Sequence, residues 1–171
     1  MRKTYIYIVP LLCLIAGVTA GVIQARGIGA DRLNALEGAL KQGLGNTQGF
    51  TGTFMGNALT NGGYMLIIWL TAFIPTGYAA AGLILFVRAM GYGYTLAALV
   101  SLYHRIGFTY IAGIGAQSAI LLAAAYLLCV SGVWFGKRFK DKSAAVSKRG
   151  ALAYFIVLLI AETSVVLASM L

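Results

Sequence analysis

The sequence predicts an all-α, polytopic integral membrane protein, with about five transmembrane helices and one short extracytoplasmic amphipathic helix. Three observations predict it. Hydrophobic residues make up 60% of the 171-residue chain and charged residues only 10%, and the mean hydropathy is +0.87, far outside the range of soluble domains. Apolar runs long enough to cross a hydrocarbon core of about 30 Å recur along the chain. The 22 glycines against 2 prolines read as packing residues, because small side chains let helices approach closely where lipid is as apolar as leucine.

The chain reads as a single membrane domain over residues 1–171. A first helix is expected at about 5–24, behind Arg2 and Lys3. Small residues Val18 and Ala20 also suit a signal-peptide cleavage site. The apolar run is long for that role and sufficient for a span, so an uncleaved helix is expected. Gly17 and Gly21 form a GxxxG step suited to helix packing. Residues 26–62 have mixed polarity and form the expected extracytoplasmic segment. Within it, "ADRLNALEGALKQGLG" places Leu33, Leu36, Leu40 and Leu44 on one helical face, with Asp31 as N-cap, Glu37 and Lys41 at i, i+4, and Gly45 as a stop. That face could lie on the membrane surface, on a partner or on the chain's own bundle. A Gly-, Thr- and Asn-rich connection follows.

Residues 63–103 are almost unbroken in apolar character and would reach about 60 Å as one helix, twice the core thickness. They must fold back. Pro75 and Gly77 mark the turn, giving helices at 63–77 and 79–102. Further helices are expected at 108–134 and 152–170, joined by a basic loop at 136–150 that carries Lys137, Arg138, Lys140, Lys142, Lys148 and Arg149. If this loop and the N-terminus are both cytoplasmic, an even number of spans separates them, which the reading satisfies. The C-terminus then lies outside.

The net charge of +9 follows these membrane flanks. No basic-aromatic interleaving accompanies it, which argues against nucleic acid and for anionic lipid headgroups. Catalysis finds little material. The two aspartates, Asp31 and Asp141, lie outside the apolar spans, His104 is the single histidine, and Cys13 and Cys129 read as inert buried thiols. No catalytic, metal or cofactor site is expected, and the chain is read as a non-enzyme.

The polar residues inside the spans form the candidate site. Counting inward from the helix ends places Arg88 about 13 Å and Glu162 about 15 Å deep, at 1.5 Å per residue. An unpaired charge there costs at least about 2.5–3.5 kcal/mol, so an Arg88–Glu162 ion pair is expected, with Gln117 and Ser118 at similar depth as hydrogen-bond donors. Such a cluster can serve an ion or proton pathway, or it can fix helix register. No internal repeat of the transporter kind is evident.

The stretch "LIIWLTAFIPTGYAAAGLILFVRAMGYGYTLAALV", residues 66–100, resembles the central signature of the stage II sporulation protein M family. Trp69, Gly77, Phe86, Arg88, Gly93 and Tyr94 carry the likeness, with Gln117 in the next helix and Glu162 in the last. It extends over about residues 63–170. Tyr78, Ser118 and Thr163 depart from the family's pattern. The resemblance implies a five-span scaffold in the bacterial cell membrane that acts in engulfment during endospore formation. Its implied partners are two peptidoglycan hydrolases, a lytic transglycosylase and an amidase/endopeptidase. The leucine ridge on 31–45 is the candidate partner surface from pattern alone, and the composition is also compatible with a homo-oligomer. A small transporter or channel subunit built on Arg88, Gln117 and Glu162 is the competing reading.

Overall fold

Side-chain bulk decides which face of each helix turns inward. The computed structural model describes residues 5–45, 50–74, 76–102, 108–140 and 148–169, and within them all regular structure is helical. In chain order the helices are α1 (Tyr5–Ala25), α2 (Ala30–Gly45), α3 (Phe50–Thr71), α4 (Gly77–Ser101), α5 (Phe108–Lys140) and α6 (Lys148–Ser169). Buried positions are rich in small residues, including Gly17, Gly21, Ala81, Ala89, Gly93, Ala125 and Ala161. Large apolar side chains such as Leu12, Ile23, Leu83, Val100, Leu127, Ile160 and Leu167 are exposed. This small-inside, large-outside distribution suits a bundle whose solvent is lipid.

Among the described residues, four helices are long and apolar enough to cross a membrane: α1, α4, the Ile111–Gly136 part of α5 and the Gly150–Ala168 part of α6. The fifth candidate differs from expectation. The helix expected at 63–77 begins instead at Phe50 and ends at Thr71, so much of the connection read as irregular is the first half of α3. Gly56, Asn57, Thr60 and Asn61 dilute its apolar character, but small and hydroxylated residues are tolerated where helices pack closely. Thr60 Oγ1 donates to the Gly56 carbonyl at 2.8 Å, satisfying its polar group within the helix. α3 packs against α4, α5 and α6. The basic loop is shorter than expected, because α5 continues to Lys140 and α6 starts at Lys148.

Contacts fix the relative directions. Gly17 of α1 meets Phe86 and Ala89 of α4, and Gly21 meets Met90 and Tyr94, so residue numbers rise together and the two helices run parallel. The seam is closed from both sides: a Cβ on Gly17, Gly21 or Gly93 would collide with the backbone carbonyl of Phe86, Met90 or Val18 respectively. The GxxxG step is thus a packing face, with backbone against backbone.

α3 and α4 are joined by a tight turn in which the amides of Ala72, Phe73 and Ile74 donate three residues back, and Gly77 N–H donates to Ile74 at 3.0 Å. Gly77 packs so closely on Thr71 that a Cβ would overlap the Thr71 carbonyl, which explains a glycine there. Pro75, the other expected turn residue, lies outside the described residues. The start of α1, this turn, the end of α5 and the start of α6 gather at one end of the bundle. Trp69, Phe73, Phe135 and Tyr154 cluster there, and Tyr126, nearer the middle of α5, donates to the Tyr7 carbonyl at 3.3 Å. α2 and the Ser101 end of α4 lie at the opposite end.

The aromatic cluster ties α3, α5 and α6. Tyr154 stacks on Phe135 at 4.7 Å and on Trp69 at 5.5 Å between centroids. Its hydroxyl donates to the Trp69 carbonyl at 2.9 Å, while Trp69 Nε1 donates back to the Tyr154 carbonyl at 3.4 Å. Tyr154→Phe keeps the rings and deletes one interhelical hydrogen bond, so it is expected to cost about 1 kcal/mol. Thermal unfolding in detergent measures this; a loss of several kcal/mol would mean that the hydroxyl does more than bridge two helices.

Candidate functional site

Arg88 sits eleven residues into α4, near the centre of that span. Its side chain turns toward α3, where Nη2 donates to Asn61 Oδ1. The guanidinium lies over two rings, with Cζ 4.4 Å from the centroid of Tyr64 and 4.8 Å from that of Tyr92. Tyr92 closes the arrangement by donating its hydroxyl to the same Asn61 Oδ1 at 3.0 Å.

Helical spacing builds this cage. Asn61 and Tyr64 are three apart on α3, and Arg88 and Tyr92 are four apart on α4, so each pair shares a face. Asn61 is buried at 6% exposure, and its carbonyl oxygen accepts from both Arg88 and Tyr92. Each cation–π contact is worth about 0.5–2 kcal/mol, depending on desolvation. Together with a hydrogen bond to a charged group, worth about 1.5–3 kcal/mol, they offset the insertion cost of the arginine. The charge is dispersed over neutral groups and is not neutralised by an anion.

Glu162 is placed differently from expectation. The Arg88–Glu162 ion pair does not form: Arg88 faces Asn61 and the tyrosines, and Glu162 makes no ion pair or hydrogen bond with a described residue. The cause is α3, which packs against both α4 and α6 and puts Asn61 and Gly62 in the way. Glu162 is half-buried against Gly62, with Oε2 2.8 Å from where a Cβ on that glycine would stand. The missing side chain makes room for the carboxylate. The two charges therefore flank α3 at adjacent positions, Asn61 for one and Gly62 for the other.

Gln117 and Ser118 do not join them. Ser118 is buried at 2% exposure, but its hydroxyl donates to the Ile114 carbonyl of its own helix at 2.7 Å. Gln117 is half-buried and bonds to neither charge. Of the α2 ridge, Leu33 and Leu36 are half-buried, and the side chains of Leu40 and Leu44 lie outside the described set. His104 and Arg105 also lie outside it.

Asn61, Tyr64 and Tyr92 were absent from the sequence-derived cluster. A signal existed: an arginine in an apolar span needs a polar or aromatic partner within one turn, and Tyr92 is at i+4. Asn61 was hidden by the Gly/Asn/Thr composition around it, which resembles a loop.

Several residues that carry the family likeness are contact points of the bundle: Trp69 in the aromatic cluster, Gly77 at the turn, Phe86 and Gly93 on the α1 seam, and Arg88 in the cage. The chain matches no family model, no curated protein and no solved structure. The resemblance to stage II sporulation protein M rests on the quoted residues alone.

Proposed function

We propose that this chain is a multi-pass membrane scaffold without chemistry of its own, with five spans, a cytoplasmic N-terminus and an outer C-terminus. The observation that carries this reading is the Arg88 cage. An arginine held by an amide of the neighbouring helix, and by one ring from that helix and one from its own, is a fixed bridge between the two helices. It braces α4 on α3. The glycine seam of α1 on α4 supports the same reading, because close backbone contact favours a fixed register over sliding.

In this scaffold α2 is the presenting element, at the end of the bundle opposite the turn between α3 and α4. Its Asp31, Arg32, Asn34 and Ala35 are exposed. The family resemblance supplies the partner class, peptidoglycan hydrolases of the lytic transglycosylase and amidase/endopeptidase types, and the setting, engulfment in endospore formation.

A photo-crosslinking residue at Leu36, in cells undergoing sporulation, is expected to capture such hydrolases, while one at lipid-facing Leu83 is not. Equal capture from both positions, or none from Leu36, would reject α2 as the docking element. One observation favours the second reading, a transporter or channel subunit. Glu162 is a span carboxylate with no hydrogen bond or ion pair to a described residue. Solute flux in liposomes that disappears in Glu162→Gln would overturn the scaffold reading.

A further inference from the structure

We propose that a lateral groove between α1, α5 and α6 is a binding site for one acyl tail of an anionic phospholipid, whose headgroup is held at the basic end of the bundle. The groove is open along its side, offers about 750 Å³, and is lined along α5 from Trp134 at that end to Ile120, past Tyr7 of α1 and Ser164 of α6. Its length along α5, from residue 120 to 134, is about 21 Å at 1.5 Å per residue. An apolar groove of this length takes a single hydrocarbon tail laid along it. The length also suits a tail, because one leaflet's chains extend about 15 Å, half the hydrocarbon core.

The lining asks for nothing polar. Ser131 and Ser164, its two serines, both donate to carbonyls of their own helices, Leu128 at 2.9 Å and Ile160 at 2.8 Å. The groove is wide because Ala123, Ala124 and Ala161 stand where bulkier residues would close it. Trp134, 45% exposed, stands at the end of the groove next to Lys137, the placement expected of an aromatic residue at a membrane interface.

The charge at the mouth selects the headgroup. Beyond Trp134, α5 continues through Lys137, Arg138 and Lys140, and α6 opens with Lys148 and Arg149. Two of the three groove walls, α5 and α6, thus continue in sequence into cationic residues at the end where a phosphate would emerge, a composition that attracts anionic lipid. This site is independent of whether α2 binds hydrolases.

The test uses the full chain in nanodiscs and native mass spectrometry, with phosphatidylglycerol and phosphatidylcholine as probes. The expected result is one retained phosphatidylglycerol per chain, at least tenfold over phosphatidylcholine. Lys137→Glu with Arg138→Glu is expected to abolish the preference. Ala123→Trp with Ser164→Leu, which fills the groove from its open side, is expected to reduce both lipids to non-specific retention. Equal retention of the two lipids by the unaltered chain, full retention by a folded filled variant, or a dimer without retained lipid each overturns the proposal. A measurement with the groove and its charges unaltered guards against misfolding: in a Trp69→Phe chain, phosphatidylglycerol brominated on its tails should quench Trp134 more than brominated phosphatidylcholine at equal mole fraction. Equal quenching overturns it as well.

Discussion

Gly21→Leu is expected to separate α1 from α4 and to cost about 3 kcal/mol, the upper part of the usual overpacking range. A Cβ on Gly21 runs into the Met90 carbonyl and lies 2.6 Å from the Tyr94 amide nitrogen, and neither atom can rotate away as a side-chain tip would. The helices must move apart, and the seam at Gly17 and Gly93 opens with them. A native thiol provides the readout. Cys13 Sγ lies 3.4 Å from the position of a Cβ on Gly82, so Gly82→Cys brings two thiols within disulfide reach. With Cys129 replaced by alanine, mild oxidation should protect both thiols from maleimide, which mass spectrometry counts directly. Adding Gly21→Leu should restore labelling of both. Gly91→Leu is the matched control on α4, because nothing lies within 4 Å of its Cβ position. Protection that survives Gly21→Leu would show that the seam tolerates bulk and is not what holds α1.

The α1 seam was legible in the sequence as a GxxxG step, because close packing without a hydrophobic driving force selects small residues at fixed spacing. The reversal between α3 and α4 was legible from length alone, since no single span could hold residues 63–103. The start of α3 was not. Composition cannot distinguish an irregular Gly/Asn/Thr segment from a helix whose polar groups are satisfied internally or by neighbours, and Thr60 and Asn61 are satisfied in those two ways. The misplaced partner of Arg88 follows from this. With α3 assumed to begin at Gly63, no polar side chain of α3 reached the depth of Arg88, and Glu162 was the remaining candidate by charge. Depth was estimated well enough from helix position; which helix stands between two others is tertiary information that periodicity does not carry.

Asn61→Leu is expected to be more damaging than Arg88→Met, although asparagine carries no charge. Removing Asn61 Oδ1 leaves the guanidinium and the Tyr92 hydroxyl without their shared acceptor, at a loss of about 2–3 kcal/mol for a hydrogen bond to a charged group. Arg88→Met forfeits the same bond and two cation–π contacts, but it also removes the insertion cost of a central arginine, about 2.5–3.5 kcal/mol, so its net effect is near zero. The double variant Asn61→Leu, Arg88→Met should therefore recover most of what Asn61→Leu loses, with a coupling of about 1.5–3 kcal/mol in reversible unfolding in mixed micelles. The parallel cycle of Arg88→Met with Glu162→Gln should show coupling below about 0.5 kcal/mol, as for residues that share no contact. The two cycles discriminate sharply between a cage and an ion pair. Strong coupling to Glu162 with none to Asn61 would restore direct charge pairing across the bundle and place α3 wrongly between the two helices. Coupling to Asn61 alone means that the arginine is retained to hold α3 against α4, and that Glu162 is free of it to serve a separate purpose on the other side of α3.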